Sequence, residues 1–114
     1  MSAYVICNLF PTTMNEDIVT YIERVQDTFG PYGGRFLVHG GTSEVVEGEW
    51  AGDMIVVEFP DMGSLKEWYA SAAYQEIVRL RTDHIRGNMM FVDGVAEDYD
   101  ARRTAAALRA TLAR

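Results

Sequence analysis

Six side chains stand out as candidates for a site: Asn8, Arg35, His39, Glu58, Trp68 and Tyr69. A histidine titrates near neutral pH and can take or give a proton. An arginine presents a planar fork of donors that fits a carboxylate or phosphate. Both lie in Tyr32-Gly33-Gly34-Arg35-Phe36-Leu37-Val38-His39-Gly40-Gly41, which reads as a turn, a strand and a second turn. Side chains alternate along a regular strand. Arg35, Leu37 and His39 are therefore expected on one face, with Phe36 and Val38 on the other. Glu58 is the carboxylate expected beside them. One reading is a satisfied network of Arg35, His39 and Glu58 that fixes a subunit interface. The other is a small polar pocket, with His39 as acid/base, Arg35 as anion clamp, and Asn8 and Glu58 beside them. Trp68 and Tyr69, with Tyr74, could line an aromatic pocket between helix and sheet, although core packing is the simpler role.

Other chemistries find no support. Two histidines, His39 and His84, with one cysteine and no ligand spacing make no metal motif. His84, in a helix-end run with Arg79, Arg81 and Arg86, reads as a solvated surface group. Cys7 sits in an apolar strand pattern and reads as a small buried hydrophobe. The phosphate-loop, dinucleotide and Gly-x-Ser-x-Gly signatures are absent. No cofactor is expected.

The positioning elements follow from pattern. Residues 3–10 read as a strand closed by Pro11. Thr13 to Glu16 fits a capping box with Thr13 as N-cap. Ile18, Tyr21, Ile22, Val25 and Phe29 follow at helical spacing, and Gly30-Pro31 stops that helix. Strands are expected at 34–39 and 53–60, with 43–49 as extended chain between them. Ser64 to Glu67 fits a second capping box, and Ser71 caps a further helix from about 72 to 82. Residues 88–93 form the last strand. The order strand, helix, strand, strand, helix, strand is the split βαβ pattern of a ferredoxin-like α+β fold, with the first and third strands central. One domain is expected over 1–95. An Ala/Arg-rich helical tail follows over 96–114; a tail with no function of its own is the simpler reading, and the alternative is loose packing on a partner subunit.

The 114 residues carry a net charge of −7 and are 48% hydrophobic. Residues 1–96 hold 6 basic and 14 acidic side chains, or −8; residues 97–114 hold 4 and 3, or +1. An acidic body offers no footprint for nucleic acid or for an anionic membrane surface. No stretch approaches a membrane span and no secretory signal is expected, so a cytoplasmic protein is anticipated.

Alternation also divides the sheet into two faces. Val5, Cys7, Leu9, Phe36, Val38, Ile55, Val57, Phe59, Met89 and Phe91 form an apolar face for the helices. Tyr4, Ile6, Asn8, Arg35, Leu37, His39, Met54, Val56, Glu58, Asn88, Met90 and Val92 form the other. So much apolar surface marks an interface, and a symmetric homodimer is the simplest occupant.

The chain resembles the bacterial family called domain of unknown function 1330. The resemblance is carried by Ala3-Tyr4-Val5-Ile6, Tyr32 to Gly41, Val46-Glu47-Gly48-Glu49-Trp50, Ile55 to Pro60 and Trp68 to Tyr74, in order over residues 1–95. It implies a ferredoxin-like subunit of a dimeric α+β barrel and brings no catalytic residue with it. Members of that family often carry Arg where this chain has His39. Arg cannot act as a general base near neutral pH, and a position open to either cation suits pairing with Glu58. The expected function is a small homodimer that binds a small anionic or aromatic molecule in a barrel-associated pocket. The alternative is a non-catalytic dimer held by the Arg35/His39/Glu58 cluster. Cofactor-free monooxygenase, isomerase or haem-degrading chemistry ranks behind both, and whether the chain is an enzyme stays open.

Overall fold

Four antiparallel strands form one sheet in the order β2-β3-β1-β4, so β1 (Ala3–Leu9) and β3 (Asp53–Phe59) are central. The edges are β2 (Arg35–His39) and β4 (Gly87–Asp93). The structure is a computed structural model and describes residues 1–113. Helices α1 (Glu16–Phe29) and α2 (Met62–Ala70), with the short α3 (Ala72–Gln75) and α4 (Val78–Thr82), complete the α+β unit. The ferredoxin-like order and the central strands are as expected. No described helix is long and apolar enough to cross a membrane.

The helix starts differ from the capping boxes. Asn15, not Thr13, caps α1: its backbone is extended, and its side-chain oxygen accepts from the Ile18 N–H at 3.0 Å. Asp61, not Ser64, caps α2, accepting from the Ser64 N–H at 2.7 Å. A side-chain carboxylate or amide competes well for these orphan donors. Ser71 does cap α3, but the expected helix over 72–82 divides into α3 and α4. Residues 43–49 join no strand.

The core lies between helices and sheet. Trp68, Tyr74, Phe29, Phe59, Ile18, Leu65 and Val5 are its largest fully buried side chains. Aromatic contacts tie it together: Phe29 meets Phe36 edge-on at 5.0 Å, and Trp68 tilts onto Tyr74 at 4.3 Å. Two glycines let this corner close. Gly33 has φ of 78°, and a Cβ on Gly34 would stand 2.8 Å from the Phe59 ring.

One irregularity changes the two faces. Arg35 pairs with Glu58 and Phe36 with Val57, but Val38 then pairs with Val56 and His39 with Ile55. Leu37 is thus an extra residue in β2, a β-bulge. Beyond it the alternation is inverted. Val38 lands on the open face and His39 on the helix face, so the expectation that Arg35, Leu37 and His39 share a face is overturned.

Candidate functional site

On the open face, Arg35 and Glu58 make the expected pair without His39. The Arg35 Nη2 lies 2.7 Å from Glu58 Oε1, Nε donates to the same oxygen at 2.8 Å, and the Tyr4 hydroxyl donates to Oε2 at 3.3 Å. Arg35, with its companions, holds the Glu58 carboxyl below its ordinary value. Asn8 stands elsewhere on that face. Its amide donates to the Ala51 carbonyl at 3.2 Å and its oxygen accepts from Asn88 at 3.0 Å. The pair Arg35–Glu58 sits opposite the Tyr4 end of β1, whereas Asn8 faces Met54 at the other end. No single polar pocket gathers Asn8, Arg35, His39 and Glu58.

The helix side gathers a different set. Tyr21 and Tyr74 share a hydroxyl–hydroxyl hydrogen bond at 2.9 Å. Arg81 Nη2 reaches the Tyr74 oxygen at 3.4 Å, and its guanidinium stands 5.5 Å from the Tyr21 ring centre. Arg81 is only 8% exposed, and its Nε has no hydrogen-bond partner among the described residues. Among the described residues no carboxylate pairs with it. Burial opposes its charge, the two phenol oxygens offset that, and its pKa stays above the ordinary value. Burial likewise raises the Tyr21 phenol, which remains protonated. A buried cation normally has an anion beside it, because leaving water costs several kcal/mol.

Space adjoins that cation. A small cavity of about 40 Å³ lies under the helices, enough for a few water molecules. It abuts an open cleft of about 330 Å³, bounded by the Phe10–Met14 loop, Ile22 and Ile85. Leu9, Tyr21, His39, Ile55 and Arg81 line both. The cleft reaches the lower end of the size range of small-molecule sites. His39 stands at this shared boundary with its ring stacked on Phe36 at 4.3 Å and 3°.

The aromatic candidates separate as well. Trp68 lines the small cavity, is 2% exposed, and donates its indole N–H to Thr28 at 3.0 Å. Tyr69 packs edge-on against Phe91 at 5.4 Å and lines neither space. His84, on the surface, pairs with Asp17 at 2.9 Å. Cys7 is buried, and burial pushes its thiol up. Among the described residues no group of three His, Cys, Asp or Glu side chains could hold a metal ion. Sequence reasoning passed over Arg81 and Tyr21. A signal existed: Arg81 falls seven residues after Tyr74, two turns along one face of the helix expected over 72–82.

No curated protein matches the chain in sequence. Solved structures match the fold. One is a protein of unknown function from Rhodopseudomonas palustris, 16% identical, with TM-score 0.65, covering 83% of this chain and 83% of that chain. Another is SnoaB, a cofactor-independent oxygenase from Streptomyces nogalater, 9% identical, with TM-score 0.51, covering 87% and 96%. A third is a dabb family protein with a ferredoxin-like fold from Mesorhizobium loti, 8% identical, with TM-score 0.50, covering 84% and 100%. The family described as Domain of unknown function (DUF1330) matches residues 2–95, and the chain belongs to that family.

Proposed function

We propose that this protein is a cytoplasmic homodimer that binds a small organic acid in the cleft between helices and sheet. The observation that carries this reading is Arg81, a buried guanidinium with an unpaired Nε and no carboxylate within ion-pair distance among the described residues, facing a cleft whose one acidic lining residue is Asp53. The acid group goes to Arg81 and the phenol pair. The apolar body, aromatic or aliphatic, lies against Leu9, Ile18, Ile22 and Ile55. His39, at the cleft boundary, is the group able to move a proton to or from such a ligand near neutral pH. The cofactor-independent oxygenase of the same fold makes oxygen uptake in the presence of such an acid the first reaction to assay.

The homodimer forms through the open sheet face, where Met90, Val92, Val38 and Leu37 stand exposed around the Arg35–Glu58 pair. The interface role first given to Arg35, His39 and Glu58 thus falls to Arg35 and Glu58. Interface and ligand site then lie on opposite faces of one sheet and can be broken separately.

The test is thermal stabilisation by a panel of substituted benzoates and short branched aliphatic acids at millimolar concentration. Wild type and Arg35→Ala should shift with the same acid, while Arg81→Met should not. If no acid shifts wild type, or if Arg81→Met shifts like wild type, the reading fails. His39→Gln should keep the shift and lose any turnover.

A further inference from the structure

The C-terminal helix has no surface to lie on. Helix α5 (Ala101–Leu112) is capped by Asp100, whose side chain accepts from the Arg102 N–H at 2.9 Å, yet none of its residues is buried. An isolated helix this short is marginal in water, so it requires a docking partner. Ala101, Ala105, Leu108 and Leu112 follow the four-three-four spacing of an apolar seam. Leu108 is 60% exposed and Leu112 84%. Arg109 flanks the seam and makes no ion pair among the described residues.

A second orphan surface complements it. From Phe36 to Leu65 the chain contains six acidic residues and no Lys or Arg. Within that stretch, residues 40–51 are exposed throughout. Val45 (53%), Val46 (86%) and Trp50 (56%) stand open beside Glu44, Glu47 and Glu49, which make no ion pair among the described residues. This segment frames a groove of about 440 Å³.

The two surfaces sit at opposite ends of the sheet. Helix α5 follows Asp93, which pairs with Ala3, and the Gly94 N–H donates to the Ser2 carbonyl at 2.7 Å. The acidic segment joins His39 to Asp53, at the end where Leu9 meets Asp53 and Gly87. Roughly 20 Å of strand separates those ends. A two-fold axis lying in the plane of the open face and perpendicular to the strands would bring each end of one copy against the opposite end of the other.

We infer that α5 is an exchanged arm, its Leu108/Leu112 seam lying in the Val45–Val46–Trp50 groove of a second copy with Arg109 against that copy's Glu47 and Glu49. This rests on the homodimer reading. It adds that each subunit completes the other's surface, twice, in an isologous contact.

The experiment measures dimer dissociation of the full chain by analytical ultracentrifugation, with acrylamide quenching of Trp50 alongside. Wild-type Trp50 should be shielded in the dimer and become accessible on dilution. Arg109→Glu, and separately Glu47→Arg with Glu49→Arg, should each weaken the dimer about tenfold and expose Trp50. Combining all three should restore both. A dimer of unchanged affinity in the charge variants, with Trp50 quenching unaltered, overturns the arm and leaves the homodimer standing. Shielding of Trp50 that persists in a monomer means that α5 folds onto its own chain and also overturns it. A chain monomeric at all concentrations overturns both readings.

Discussion

The sheet has one arginine of interest on each face, and the two are handled in opposite ways. Arg35 is mostly in water, with a side chain 69% exposed, and still has a carboxylate at 2.7 Å. Arg81 is buried and has two phenols beside it and, among the described residues, no carboxylate in ion-pair distance. A fold that wanted only stability would do the reverse, since exposed pairs are worth little and buried lone charges cost much. Arg35 thus behaves as a fixture of the open face, and Arg81 is the group to which the proposed function assigns the ligand's acid group.

Four substitutions and one pH series test that contrast. Trp68→Ala should have the largest effect, about 3–5 kcal/mol of stability by urea denaturation, because it empties the centre of the helix side. An equal cost for Met90→Ala on the open face would abolish the distinction between faces. Arg81→Met should leave the free protein within about 1 kcal/mol of wild type, or make it more stable, since the desolvated charge is removed. A large loss would make Arg81 a structural member of the core. Arg35→Ala should leave monomer unfolding nearly unchanged and weaken the dimer in a salt-dependent way. The pH effect is the smallest. The folded-state pKa of Glu58 is lowered, so the pair's contribution is complete above the unfolded carboxylate value and is lost as pH falls through the folded one. Urea midpoints should therefore decline on acidification below the ordinary carboxylate range, and less so in Arg35→Ala.

Much of this arrangement could be read from residue order. Alternation in β1, β3 and β4 placed Val5, Cys7, Ile55, Val57 and Phe91 on the helix side, because nothing interrupts the two-residue period there. It failed in β2, where Leu37 is neither glycine nor polar and no local signal marks an extra residue. That failure moved His39 from the interface cluster to the cleft. The pairing of Arg35 with Glu58 was legible because it lies before the bulge. Arg81 was hidden between Arg79, at another phase of the same helix, and Arg86, beyond that helix's end. A direct check on β2 is an NMR contact between the His39 ring and the Ile55 methyl groups, as the bulged register requires; contact with Met54 instead would mean a straight strand.

The stack of rings beside Arg81 has an optical consequence. Trp68 lies 4.3 Å from Tyr74, whose hydroxyl touches both Tyr21 and Arg81. Excited indole moves electron density across its ring system, so its emission colour responds to a nearby fixed charge. An anion arriving at Arg81 would neutralise the charge that Trp68 senses through Tyr74. The protein thus carries its own reporter dye at the wall of its cavity, and ligand entry could be followed as a spectral shift with no label attached.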